Sequence, residues 1–178
     1  MTLVSTERLY TGRVVNLDRD TVRYPNGSTG QLEMIRHPGA SAVVPFLDEP
    51  RGADPRIYII RQFRHAADGF VWEIPAGRLD PGETAATCAQ RELEEEIGMT
   101  ADVLARITTI YTTPGFTDEK IHLFMAHELR KGVHRREADE FMEVQTRRWS
   151  EVMSMVRTGE IQDGKTIAAL LFIQCFRR

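Results

Sequence analysis

Glutamates are concentrated in one short segment, residues 77–99, with the sequence GRLDPGETAATCAQRELEEEIGM. On an α-helix, Glu92 and Glu96 are neighbours at a spacing of four residues, and Glu95 lies beside Glu92 at a spacing of three. Like charges at these spacings destabilise a helix by about 0.2–0.5 kcal/mol per pair, so a purely structural helix would gain from interspersed lysines. Three carboxylates on one flank instead suit a hard divalent cation, Mg²⁺ or Mn²⁺. The alternative is a solvated acidic face with Arg91 as its counter-charge.

The same segment resembles the signature of the Nudix hydrolase family, G-x5-E-x7-R-E-U-x-E-E-x-G-U, in which U is an apolar residue. Every fixed position is filled without a gap, by Gly77, Glu83, Arg91, Glu92, Leu93, Glu95, Glu96, Gly98 and Met99. The flanking sequences HPG (37–39), RQFR (61–64), IPAG (74–77) and YTTPGFTDE (111–119) are similar to the branch that hydrolyses ADP-ribose. That branch has a proline about fifteen residues past the signature, where this chain has Pro114.

The resemblance implies a reaction and a metal site. Members of the family cleave a nucleoside diphosphate linked to another group by attack of water on phosphorus. By the resemblance, Glu92 and Glu96 are the main ligands of Mg²⁺ or Mn²⁺, with Glu95 and the carbonyl of Ala76 as further ligands. The resemblance also implies that Arg91 orients either Glu95 or Glu83, and that Glu83 braces the junction of loop and helix. A tight turn is expected at Gly77.

Three further residues are candidates for binding substrate. Arg64 is expected to hold the diphosphate and Glu119 the terminal ribose, while Pro114 belongs to the substrate loop of this branch. The alternative for Arg64 is a surface charge at the end of a strand, and for Glu119 an ordinary loop carboxylate. Trp72 is interpreted as a core residue rather than a platform for adenine.

The general base is expected outside the signature, because its carboxylates are committed to cations. Residues 135–143, RREADEFME, form a polar segment between two predicted strands, and a mobile loop of this kind can close over substrate. Its carboxylates are Glu137, Asp139, Glu140 and Glu143. Comparison with the ADP-ribose branch favours Glu140, and a solvated loop charge is the alternative.

The rest of the sequence predicts the elements that position these groups. Short strands are predicted at 13–17, 21–24, 31–36, 41–47, 56–63, 71–74, 103–111, 120–128 and 143–149. An apolar stripe at spacings of three and four predicts a helix that opens at Glu83 and Thr84 and ends at Gly98. A short helix capped by Ser150 and an amphipathic helix over 165–176 follow. The predicted architecture is α/β: the Nudix fold, an α/β/α sandwich around a mixed sheet (39–178), preceded by a small β-rich subdomain (1–38).

Composition excludes several other classes of function. The chain has 178 residues with 23 basic and 26 acidic side chains, a net charge of −3 that argues against a nucleic-acid binder. Residues 1–10 contain no hydrophobic block and the longest apolar run, 167–173, is too short to cross a bilayer, so neither a signal peptide nor a membrane anchor is expected. The two cysteines lack any motif spacing, which favours a reduced, cytoplasmic protein.

The sequence therefore predicts Mg²⁺-dependent hydrolysis of ADP-ribose, or a related nucleoside diphosphate sugar, to AMP and ribose 5-phosphate. The alternatives are another substrate, such as GDP-mannose, NADH or a dinucleotide, and a non-catalytic sensor of ADP-ribose-like ligands. Residues 1–37 are too few to form a core alone, yet they contain many large apolar side chains, among them Leu9, Tyr10, Val14, Val15, Leu17, Val22, Leu32, Met34 and Ile35. We expect them to pack against the core or a second chain. Because relatives in this branch exchange this region, a homodimer is predicted.

Overall fold

The structure is a computed structural model that describes residues 1–132 and 142–177. Its strands are β1 (Thr2–Thr11), β2 (Asn16–Arg23), β3 (Thr29–Arg36), β4 (Ala40–Pro45), β5 (Arg56–Arg64), β6 (Gly69–Glu73), β7 (Ala76–Arg78), β8 (Met99–Tyr111), β9 (Lys120–Lys131) and β10 (Met142–Arg148). The helices are α1 (Ala85–Ile97), α2 (Trp149–Thr158) and α3 (Gly164–Phe176), with one 3-10 turn at His65–Ala67.

The first three strands form an antiparallel sheet in the order β1-β2-β3. The turn between β2 and β3 contains Gly27 in the left-handed region, φ 87°, as the Pro25-Asn26-Gly27 sequence predicts. The sequence did not predict β1, because nearly all of its residues are exposed and no apolar face repeats every second residue. Cross-strand ion pairs, Arg8 with Asp18 and Arg19 with Glu7, link β1 to β2 instead.

The central sheet has the order β7-β4-β9-β8, with β4 and β9 parallel and the other pairs antiparallel. A second, antiparallel sheet has the order β10-β5-β6, and a bridge between Phe46 and Ile57 connects the ends of β4 and β5. The mixed sheet predicted from the interleaved strands and helices is confirmed.

Helices cover both faces of the central sheet. Alternate residues of β4 face opposite sides, so Ala42 and Val44 pack with α2 and α3 while Val43 packs with α1. All three side chains are fully buried, as are Leu93 on α1 and Leu170 on α3. Burying a side chain of this size contributes about 1.5–3 kcal/mol. The predicted α/β/α sandwich is thus confirmed by the two cores that lie on either side of the sheet.

The helix ends differ in part from the sequence prediction. Thr84 caps α1 and Gly98 ends it in the left-handed region, both as predicted. Ser150, however, lies inside α2, and its backbone N–H and hydroxyl donate to Asp54 of a distant loop at 2.9 Å each. The start of α2 is therefore capped by this tertiary contact together with a local one, in which the Arg148 N–H donates to Glu151 at 2.8 Å. Helix α3 is not amphipathic, because its exposed side includes Leu171 and Phe176.

Backbone hydrogen bonds join the N-terminal sheet to the loop between β8 and β9. The N–H of Ile35 donates to the carbonyl of Phe116 at 2.8 Å, and the N–H of Asp118 donates back to Ile35 at 3.3 Å. The Asp118 carboxylate accepts from the N–H of His37 at 2.8 Å. The division into residues 1–38 and 39–178 stays a prediction. Within the residues described, no helix is long and apolar enough to cross a membrane.

Candidate active site

Helix α1 presents its carboxylates at the edge of the core. Ala89 and Leu93 anchor the helix on the sheet, and this orientation places Glu92 and Glu96 at the margin of the buried face. Glu92 is 6% exposed and Glu96 is 2% exposed, whereas Glu95 is half-buried. Two nearly buried carboxylates one helical turn apart require compensation by cations or hydrogen bonds, because burying a charge is costly.

Strand β7 lies directly against these carboxylates. The backbone N–H of Ala76 donates to Glu96 Oε2 at 3.1 Å. A Cβ atom at Gly77 would overlap the Glu92 carboxylate, so only glycine allows this approach. The tight turn predicted at Gly77 is wrong: the residue lies within β7, paired with Ser41 of β4. The glycine is accounted for by the packing of Glu92, which a larger residue would displace, rather than by backbone conformation.

Arg91 connects four groups around the helix. Its Nη1 donates to Glu92 at 2.6 Å and to Glu95 at 2.8 Å, and its Nε donates to Glu83 at 3.0 Å. Its Nη2 donates to the carbonyl of Arg78 at 3.0 Å. These bonds raise the pKa of Arg91, and the Arg91 guanidinium lowers the pKa of Glu83. Arg91 therefore contacts both glutamates considered from the sequence and Glu92 as well.

The donors available to a metal ion are all oxygens. Glu92, Glu95 and Glu96 supply carboxylates, a set that suits Mg²⁺ or Mn²⁺ better than zinc. Glu92 and Glu95 already converge on a single cationic group, the Nη1 of Arg91. Nevertheless, across residues 1–132 and 142–177, no three histidine, cysteine, aspartate or glutamate side chains are already arranged to hold a metal ion. The ligand identities fit a hard cation, with Arg91 lying between two of the ligands.

Cys88 lies beneath the segment but has the wrong properties for a nucleophile. Its side chain is fully buried, and the thiol contacts the carbonyls of Gly77 at 3.5 Å and Arg78 at 3.6 Å. Burial, with a further contribution from the Glu92 carboxylate, raises the pKa of Cys88 to about 11. The prediction from the sequence that Cys88 is a core residue is confirmed.

The two free cysteines should differ strongly in reactivity. Cys175 is exposed near the end of α3, whereas Cys88 is buried. At neutral pH, the raised pKa alone leaves Cys88 with roughly 100-fold less thiolate than an ordinary cysteine. We expect iodoacetamide to modify Cys175 in the native protein and to leave Cys88 unmodified, as read by peptide mass spectrometry. Equal labelling of the two sites without unfolding would contradict the buried, protonated thiol.

The substrate-binding candidates lie in two places. Arg64 lies at the end of β5 and forms a two-bond ion pair with Glu73 of β6. Glu119 accepts from the Thr112 hydroxyl at 2.8 Å and lies 3.5 Å from His37 Nδ1, and Pro114 lies in the same loop between β8 and β9. Trp72 is 9% exposed within the core, as predicted. Arg64 is thus bound to β6, whereas Glu119 lies beside His37, directly after the last strand of the N-terminal sheet.

The predicted general base, Glu140, lies outside the described residues, as do Glu137 and Asp139. Glu143 is described: it lies on β10 opposite Arg61 and accepts a hydrogen bond from Gln145 at 3.4 Å.

Sequence reasoning did not single out Glu73 or Lys165. Glu73 is 2% exposed and pairs with both Arg64 and Lys165. A detectable signal existed, because Glu73 is the lone charged residue in the apolar run FVWEIP.

Comparison with known proteins agrees with this geometry. The profile of the NUDIX domain matches residues 36–170. ADP-ribose pyrophosphatase of Bacillus subtilis (strain 168) is 39% identical over 173 residues, which cover 96% of this chain and 91% of that protein. ADP-ribose pyrophosphatase of Mycobacterium tuberculosis is 37% identical, covering 96% and 81%. GDP-mannose pyrophosphatase of Salmonella typhimurium is 36% identical over 66% of each chain.

A solved structure described as an ADP compounds hydrolase superimposes with a TM-score of 0.79 over 98% of this chain and 92% of that chain, at 21% identity, and shares the fold. An α/β/α sandwich with a complete signature, from Gly77 on β7 through Glu83 in the loop to the glutamates of α1, defines a class of hydrolases that generally depend on divalent metal ions. The chain belongs to the Nudix hydrolase family.

Proposed function

We propose that this enzyme hydrolyses the pyrophosphate bond of ADP-ribose to AMP and ribose 5-phosphate. The proposal rests chiefly on one observation. The buried carboxylates of Glu92 and Glu96 contact β7, so residues from both ends of the signature lie together in one site. Two relatives that align over nearly the whole chain are named ADP-ribose pyrophosphatase. The choice of ADP-ribose as substrate rests on these names, and the choice of a hydrolytic reaction rests on the site residues.

Mg²⁺ or Mn²⁺ is the cofactor in this proposal, in keeping with the general dependence of Nudix hydrolases on divalent metal ions. Glu92, Glu95, Glu96 and the carbonyl of Ala76 would hold it. When bound, such a cation neutralises phosphate charge and lowers the pKa of a coordinated water molecule. Arg91 keeps Glu92 and Glu95 together on one flank of the helix, and its bonds to Glu83 fix that flank to the preceding loop.

The remaining roles are distributed around this site. Arg64 binds the diphosphate through its guanidinium, and Glu119 and Pro114 line the position of the terminal ribose. Glu140 accepts the proton of the attacking water, because a base outside the metal ligands leaves their charge available to the cation. Together, these groups would support an in-line attack of water on phosphorus, with AMP and ribose 5-phosphate as products.

A panel of substrates tests this proposal. We expect kcat/KM for ADP-ribose to exceed that for GDP-mannose, NADH and a nucleoside triphosphate by at least about tenfold. GDP-mannose is the second candidate, because relatives of that name match two thirds of the chain. A higher kcat/KM for another member of the panel would replace ADP-ribose as substrate, and binding without turnover would favour a sensor. A sensor has no need of the complete carboxylate set that this chain retains.

The N-terminal sheet is proposed to form a homodimer interface and to help line the substrate site. Twelve large apolar side chains are exposed among the described residues, and six of them lie within the first fifteen residues. They are Met1, Leu3, Val4, Tyr10, Val14 and Val15. Exposed apolar side chains at this density favour association with a second chain.

We expect light scattering at micromolar concentration to report twice the 20.3 kDa mass of one chain. Replacing Leu3 and Val4 by aspartate should shift the enzyme toward a monomer and lower its activity. A wild-type enzyme that is a fully active monomer at this concentration would contradict the proposal. The cytoplasm is the proposed location, in keeping with the two unpaired cysteines.

A further inference from the structure

Arg64 lies at the end of β5, yet its side chain is directed back over the sheet. In the pairing of β5 with β6, Arg64 is opposite Gly69 and Glu73 is opposite Ile60. Three residue pairs along the strands therefore separate Arg64 from Glu73, and of these only Gln62–Val71 lies on the same face of the sheet. Nevertheless, Arg64 Nε donates to Glu73 Oε1 at 2.6 Å, and Arg64 Nη2 donates to Oε2 at 2.8 Å. The arginine must cross the intervening Gln62–Val71 pair to make these bonds.

The Glu73 carboxylate is buried and held in place, unlike a carboxylate in an exposed surface ion pair. It is 2% exposed and also pairs with Lys165 at the start of α3. Burial opposes ionisation of Glu73, but Arg64 and Lys165 outweigh it, so the pKa of Glu73 is lowered. A parallel two-bond pairing between guanidinium and carboxylate fixes the plane of the arginine as well as its position. Arg64 is thus held in one orientation.

Residues 73–76 contact both Arg64 and one carboxylate of α1, Glu96. Glu73 binds Arg64, the N–H of Ile74 donates to Thr166 of α3 at 3.0 Å, and the N–H of Ala76 donates to Glu96 at 3.1 Å. The hydrogen bonds to Glu73 raise the pKa of Arg64, and the nearby Glu96 adds to this shift. Residues 73–76 therefore fix the guanidinium and a signature carboxylate relative to each other.

One nitrogen of Arg64 is left for a ligand. Nε and Nη2 are used by Glu73, and Nη1 donates to no group within the described parts of the chain. Arg64 borders an open cavity of about 440 Å³, lined also by Lys165 and by the carboxylates Glu73 and Asp163, which are themselves paired with Arg64 and Lys165. A phosphate oxygen is a suitable chemical partner for a guanidinium N–H at the border of an open cavity.

We propose that Glu73 is a positioning residue for the hydrolysis: it holds the Arg64 guanidinium in one orientation and so fixes the arginine that receives the diphosphate. The inference rests on the proposed function and extends it to a residue that contacts neither substrate nor metal. Glu73 acts on binding through Arg64, while its second partner, Lys165, is held also by Asp163 at 3.1 Å. Its removal should therefore weaken substrate binding without altering the carboxylate site.

A double-mutant cycle tests this role. We expect Glu73→Gln to raise KM for ADP-ribose about tenfold while kcat changes less than about threefold, because the lost contact serves ground state and transition state alike. Arg64→Lys should raise KM by a similar factor, since lysine cannot form the two-bond pair. Adding Glu73→Gln to Arg64→Lys should then change KM by less than about twofold, because both changes remove one interaction.

The chain offers a matched control on the same strand. Arg56, at the other end of β5, makes a two-bond pair with Asp48 at 2.8 and 2.9 Å. Asp48→Asn removes an ion pair at the opposite end of β5 from Arg64 and should leave KM and kcat unchanged. Normal turnover by the wild type and by Asp48→Asn would establish the hydrolysis independently of Glu73.

The inference is overturned if Glu73→Gln has the wild-type KM, or if the two single effects multiply in the double variant. A loss of folded protein that lowers kcat with KM unchanged would also overturn it, since that is the result of a merely structural role. If Glu73→Gln does not fold, Glu73→Asp carries the same test: it keeps the charge, and its KM should lie between those of wild type and Arg64→Lys.

Discussion

Glu96→Gln should abolish most of the activity, with kcat/KM falling at least about 100-fold. Glutamine keeps the shape of the side chain and an oxygen that can accept from the Ala76 N–H, so the packing of α1 on β7 should persist. What is lost is one negative charge in a site proposed to bind Mg²⁺ or Mn²⁺. Steady-state kinetics on ADP-ribose and a titration with Mn²⁺ would measure both effects, and the affinity for Mn²⁺ should fall together with the rate.

A control variant lies on the same helix. Glu94 is two residues from Glu96 in sequence and lies near Gly132, on a different side of α1. Glu94→Gln removes the same charge and should retain activity within about twofold. An equally active Glu96→Gln enzyme with unchanged Mn²⁺ affinity would refute the metal assignment. Circular dichroism spectra that match the wild type would show that both variants remain folded.

Glu140→Gln should lower kcat about 100-fold or more while KM changes little, because the variant keeps the size of the side chain and removes the proposed general base. The measurement is kcat as a function of pH for wild type and variant. Loss of the base should also remove the acidic limb of the wild-type profile, since a carboxylate must be ionised to accept the proton.

The neighbouring carboxylates serve as controls for Glu140. Glu137→Gln, Asp139→Asn and Glu143→Gln should each retain kcat within about threefold. If Glu140→Gln loses less than about threefold and Asp139→Asn or Glu143→Gln instead disables the enzyme, the role belongs to that neighbour. Glu143 is the best defined of these alternatives, because it lies on β10 and accepts from Gln145.

The helix that carries the signature could be predicted from the sequence because its determinants are local. An apolar stripe, a threonine cap and a terminal glycine lie within fifteen residues, and all three have their predicted places in α1. Local spacing also predicts that Glu92, Glu95 and Glu96 share a flank, and Arg91 joins the first two. The central strands were found for a similar reason, since buried strands consist of short apolar runs.

The features that were missed depend on contacts between distant residues. Strand β1 has no apolar face, and ion pairs with β2 accompany its backbone pairing, so its own pattern carries no strand signal. The sequence predicts a turn at Gly77, whereas this residue lies in β7 and the Glu92 carboxylate, fifteen residues further along the chain, occupies the space of a side chain there. The partner of Glu73 on α3, Lys165, lies 92 residues away in the sequence. No local pattern could indicate that pair.

The most direct test of the proposed function is to identify the products of ADP-ribose turnover with and without a divalent metal ion. With Mg²⁺ or Mn²⁺, the purified enzyme should release AMP and ribose 5-phosphate in equal amounts, as resolved by ion-exchange chromatography. Addition of excess EDTA should stop the reaction, and renewed addition of the metal should restore it. Release of ADP and free ribose, or turnover that persists in EDTA, would contradict a metal-dependent cleavage of the pyrophosphate bond.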